Sequence, residues 1–136
     1  MIKTYLLTLV FLLVLDYVWL GLIMNRFYAR QLGGLGRTEG GNFKPVIWAA
    51  CMVYLLIPLG IVVFVLPGVD RGSLVLSSAG RGALFGLVLY GVYDFTNYSL
   101  LKDYPKTMTF ADILWGTFLC SVTSVFSAYA GFTLFS

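Results

Sequence analysis

Three carboxylates stand in stretches that are otherwise apolar: Asp16, Asp94 and Asp112. An aspartate at the centre of a membrane helix costs roughly 2.5–3.5 kcal/mol to insert, so it is expected to face a protein interior or a watery cavity. There it can hold a proton, pair with a cation or accept hydrogen bonds. Each has polar or aromatic company at helical spacing. Trp19 follows Asp16 by three residues, Trp115 follows Asp112 by three, and Asp94 lies between Tyr90 and Asn97. Positions three or four apart share a helix face. A carboxylate beside Trp and Tyr suits a small polar or cationic amphiphile, held by charge pairing and cation–π contact. The same acids, with Tyr90 or Tyr93, could instead pass protons to and from a lipid or isoprenoid.

Other chemistry is excluded by what is missing. The chain has no histidine, and its two cysteines, Cys51 and Cys120, lie far apart without CxxC spacing. Haem, His-zinc sites and Ser-His or Cys-His nucleophile pairs are therefore not expected, nor is any metal or cofactor. The net charge is +3, but the basic residues fall mostly between apolar runs, where they encode topology. Nucleic acid is not an expected partner.

The elements that must position these residues are membrane helices. Of 136 residues, 60 % are hydrophobic and only 11 % charged, and mean hydropathy is +0.90. A soluble domain of this size could not hide that much apolar surface. Four stretches are long enough to cross a bilayer, about 5–25, 45–66, 81–101 and 110–135. The expected fold is a compact all-α bundle of four transmembrane helices without a sheet, the whole chain 1–136 forming one membrane domain. The first span is too long for a secretory signal and carries Asp16 and Trp19, so it is expected to be retained.

Details of the spans refine this picture. Gly82 and Gly86 form a small-residue pair suited to close helix packing, within one protomer or in a homo-oligomer. Pro58 interrupts the second span and frees the Tyr54 carbonyl. Tyr5, Trp48, Tyr104 and Tyr129 read as interfacial anchors. Asp112 opens the fourth span, where it could cap the helix. Arg26 and Arg30 are the candidate cations for an Asp–Arg pair. The Gly-rich loop between Arg26 and Lys44 lacks phosphate-loop spacing and reads as a flexible connector. Six basic residues (Arg26, Arg30, Arg37, Lys44, Lys102, Lys106) flank the first and third loops, against Lys3, Arg71 and Arg81 on the other side. This bias puts those loops in the cytoplasm and both termini outside.

Three motifs, Asp16-Tyr17-Val18-Trp19-Leu20-Gly21, Tyr93-Asp94-Phe95-Thr96-Asn97 and Asp112-Ile113-Leu114-Trp115-Gly116, resemble the bacterial membrane family catalogued as domain of unknown function 2177. The resemblance extends over nearly the whole chain. It implies a small four-helix protein of the bacterial inner membrane, with no activity to carry over. The residues themselves lead to one internal pocket in the cytoplasmic half: Asp16, Asp94 and Asn97, closed by Trp19, Tyr90 and Trp115, with Asp112 at the mouth. Such a pocket would bind or transport a polar or cationic amphiphile, with proton coupling. The alternatives are an intramembrane lipid-modifying enzyme, or a non-catalytic partner of one. Membrane lipid is the expected surrounding partner in every case.

Overall fold

The structure is a computed structural model and describes residues 1–135. Four long apolar helices dominate it. The first, α1 (Ile2–Asp16), continues as a wider π-helical stretch, Tyr17–Ile23. A short helix α2 (Asn25–Leu32) follows, then a two-stranded ribbon, β1 (Thr38–Glu39) and β2 (Asn42–Phe43). The second long helix is α3 (Ile47–Gly60), extended by π and 3-10 turns to Gly68. The bundle is completed by α4 (Leu74–Leu100) and α5 (Lys106–Tyr129), the latter extended to Leu134.

Apolar side chains repeat along outward faces at helical spacing: Leu6, Val10 and Val14 on α1, and Leu84, Val88 and Val92 on α4, all exposed. Exposed apolar surface on this scale suits a lipid surrounding, and all four helices are long and apolar enough to cross a membrane. The helix at the centre is α5. Of its most apolar window 56 % is buried, against 17 % for the windows of α1 and α4. It packs on both of those helices and on the end of α3.

Small residues let α4 and α5 approach closely. A Cβ on Gly86 would collide with the Gly116 carbonyl, one on Gly82 with Ser124 and the Cys120 carbonyl, and one on Gly116 with the Tyr90 ring. The tight turn between the two helices has Asp103 at φ 64°, a left-handed conformation that Asp tolerates better than most residues. Pro58 sits inside α3 and cannot donate to the preceding turn. Next to the carbonyl expected to be free, that of Leu55 accepts from the Tyr5 hydroxyl at 3.1 Å.

Three sequence expectations are corrected. A sheet does exist, though only two residues per strand, paired Thr38 with Phe43 and Glu39 with Asn42. The loop expected to be a flexible connector is instead built, from α2 and this ribbon. Gly40 and Gly41, at φ 60° and 80°, supply the two left-handed positions that a two-residue hairpin turn requires. Finally, the third long helix begins at Leu74 rather than near 81. The Ser- and Gly-containing stretch just before the expected span is helical from Leu74, with Ser78 bonding back to the Leu74 carbonyl at 2.6 Å.

Candidate functional site

All three intramembrane aspartates lie toward the end of the bundle formed by the close of α1, the close of α4 and the start of α5. Two, Asp16 and Asp94, are 5 % and 0 % exposed, so water cannot solvate them and their partners must come from protein.

The donors to Asp16 come from two other helices. Tyr54 of α3 donates to Oδ2 at 2.6 Å, and Trp115 Nε1 of α5 donates to Oδ1 at 2.9 Å. Trp115 also stacks on Trp19, with ring centroids 4.3 Å apart and planes within 7°. The π-helical stretch that carries Trp19 starts directly after Asp16. Three helices thus meet at one carboxylate.

The partners of Asp94 are different. Tyr104 donates to its Oδ1 at 2.9 Å. Its Oδ2 is buried and receives no hydrogen bond, and the Asp112 carboxyl is a close electrostatic neighbour. Asp112 in turn accepts from Tyr28 at 3.2 Å, and Tyr28 receives the Trp19 indole N–H at 3.3 Å. Asp16 and Asp94 therefore have separate partners. The link between them runs through α5, where Asp112 and Trp115 are three residues apart, and through the Trp19–Tyr28 contact. The ring of Tyr90 packs against the core around Leu12, Leu119 and Cys120. Asn97 is not the donor to Asp94; that donor is Tyr104.

Two alternative readings of the aspartates fall away. Asp112 lies well past the first turn of α5, which contains no acidic residue, so it does not cap the helix. Arg26 and Arg30 are exposed, and among the described residues the ion pair is Lys44 with Glu39. Among the same residues, no three His, Cys, Asp or Glu side chains gather as a metal site.

The tyrosines are what sequence reading missed. Tyr104, expected as an exposed anchor, is only 6 % exposed. Tyr28 is buried on α2 against Tyr104 and Met108. Tyr54 was of interest for its carbonyl, yet its hydroxyl makes the contact. Outside the long helices, the phenols of Tyr28 and Tyr104 are held well above their ordinary range. Burial is the main cause for both, and the neighbouring carboxylates add to it. Both therefore stay protonated donors at physiological pH.

Residues 1–129 match the family described as predicted membrane protein, DUF2177. The chain belongs to this family. No curated protein and no solved structure matches it significantly. The site of this DUF2177 member is thus defined by its own geometry: buried carboxyls, each met by aromatic donors from other elements.

Proposed function

We propose that the chain binds a small cationic amphiphile at the Asp94–Asp112 pair in exchange for a proton, as a membrane binding or transport protein. One observation carries the reading: Asp94 Oδ2 is buried without a donor, beside the Asp112 carboxyl. Two neighbouring bare carboxylates, one of them fully buried, repel strongly. One proton held between them would supply the missing donor and remove one charge. An ammonium group would do the same. Proton and cation would then compete for one place. The stacked Trp19 and Trp115 rings and the Tyr28 phenol, one or two contacts away, give an aromatic surface for the rest of such a molecule. The Lys/Arg bias supports a cytoplasmic setting for this end of the bundle in a bacterial inner membrane. A path across so thin a bundle would run between two copies of the chain.

The test is calorimetric binding of dodecyltrimethylammonium to the purified protein in neutral detergent, in two buffers of different ionisation enthalpy. The reading expects tighter binding at pH 8 than at pH 6, with about one proton released. Asp94→Asn should fold, because the amide can donate to Asp112, yet bind at least tenfold more weakly. Binding indifferent to pH and to Asp94→Asn would overturn it. A changed lipid profile in a deletion strain, with no binding, would favour the enzyme reading instead.

A further inference from the structure

A second site lies outside the carboxyl cluster, in the loop after the first span. A cleft of about 360 Å³ opens between α2 and the ribbon, lined by Arg26, Arg30, Thr38, Gly40, Gly41 and Asn42 among others. Arg26 and Arg30 are four apart, so both guanidinium groups leave α2 on one face. That face is fixed because the opposite side of α2 is anchored: Tyr28 is buried against Tyr104 and Met108, with Phe27, Leu32 and Phe43 packed around them. The opposite wall is the hairpin turn. Gly40 and Gly41 present backbone without side chains there, and nothing stands within 4 Å of where a Cβ would be. Thr38 and Asn42 flank that turn with a hydroxyl and an amide.

Charge completes the argument. Glu39, the acidic residue of this loop, is tied to Lys44, which directly follows the neighbouring strand. Among the described residues neither arginine has a carboxylate partner. Two planar guanidinium forks over a bare glycine turn match the oxygens of a phosphate group. The volume lies in the range of small-ligand sites, and it is large enough for a glycerophosphate. The cleft also lies just after the end of the first candidate span, Ile2–Ile23, where a lipid headgroup would be within reach.

We propose that this cleft binds a phosphate group, carried by an anionic phospholipid headgroup or free in solution. The test is native mass spectrometry of the detergent-purified protein, titrated with phosphatidylglycerol, phosphatidylcholine or inorganic phosphate. The proposal expects at least tenfold preference for phosphatidylglycerol over phosphatidylcholine if the source is lipid. It expects saturable phosphate binding that displaces neither lipid if the source is soluble. In either case R26Q/R30Q should weaken binding at least tenfold, while R37Q, a basic residue outside the cleft, should not. If R26Q/R30Q does not yield folded protein, R26K/R30K keeps the charge but loses the fork, and a severalfold loss is expected. Binding unchanged in these variants, equal loss in R37Q, or no binding of either probe would overturn the proposal.

Discussion

At one end of the bundle Asp16, Asp94 and Asp112 are met by side chains from other elements: Tyr54 and Trp115, Tyr104, and Tyr28. At the other end the buried polar residues are small hydroxyls, Thr4, Thr8, Ser78, Thr123, Ser124 and Ser127, and most of their bonds run back into their own helix. Ser127 donates to the Thr123 carbonyl and Ser78 to that of Leu74, at 2.6–2.7 Å. The single Thr8 proton is shared between two acceptors, the Thr4 carbonyl at 2.7 Å and the Ser127 oxygen. Among these six residues one hydroxyl pair meets across helices, Thr8 with Ser127 at 2.7 Å. Beside them the Ser121 hydroxyl donates to the Ala79 carbonyl of α4 at 3.0 Å and the Tyr5 hydroxyl to the Leu55 carbonyl of α3 at 3.1 Å. The two ends therefore hold polar atoms in apolar surroundings by different means. A hydroxyl can be satisfied locally, since the helix offers a carbonyl one turn back. A carboxylate accepts only, so it must be supplied with donors from elsewhere. Tyr and Trp suit that task because they bring a donor on the tip of an apolar body. The carboxyl end is held together by side-chain donors aimed at carboxylates; the hydroxyl end is a packing seam crossed by a few neutral hydroxyl bonds.

The largest expected effect follows from removing one of those tertiary hubs. Asp16→Ala leaves the Tyr54 hydroxyl and the Trp115 indole buried without an acceptor, and should cost about 3 kcal/mol. Asp16→Asn keeps one acceptor and should cost about half that. Unfolding in mixed micelles, followed by tryptophan fluorescence, reads both. A loss below about 1 kcal/mol for Asp16→Ala would mean that the aromatic contacts do not tie the helices together.

Thr8→Val should do far less, because the isostere fills the same space and Ser127 keeps its bond to the Thr123 carbonyl. A cost near 0.6 kcal/mol is expected, typical of polar contacts between membrane helices. Combining it with Ser127→Ala isolates the crossing contact. A coupling energy above about 2 kcal/mol would place this end in the same class as the other and erase the contrast.

Much of the architecture was legible because membrane burial leaves a coarse signature. Runs such as Tyr5–Asn25 and Pro45–Leu66 admit few alternatives to a spanning helix. Asp16, Asp94 and Asp112 were legible as odd residues for the same reason. What did not show was the identity of their donors. Tyr28, Tyr54 and Tyr104 belong to three different elements, and a tyrosine near a span end reads equally as an anchor or as a buried donor. Only the inward rotation of each helix decides. The ribbon was concealed by its size, since two residues per strand leave no alternation; Gly40-Gly41 was its one signal.

The smallest effect concerns Asp70, a carboxylate at the hydroxyl end that lies outside the bundle. It accepts from the Gly72 backbone N–H at 3.0 Å and the Ser73 hydroxyl at 2.7 Å, capping the short turn before α4. Those bonds, the Ser73 hydroxyl first and the Gly72 amide second, hold its carboxyl below the usual range. A depressed carboxyl stabilises its surroundings above the unfolded range, and that contribution is lost as pH falls through the folded value. Full exposure confines the effect to the turn. Hydrogen exchange at Gly72, corrected for intrinsic rates, should show protection falling once the pH drops below about 4. Asp70→Asn should abolish most of that pH dependence and leave global unfolding unchanged. If the whole bundle loosens in the same window and Asp70→Asn leaves that intact, the acid sensitivity belongs to the buried carboxyls at the far end. The division of labour between the ends would then extend to their response to pH.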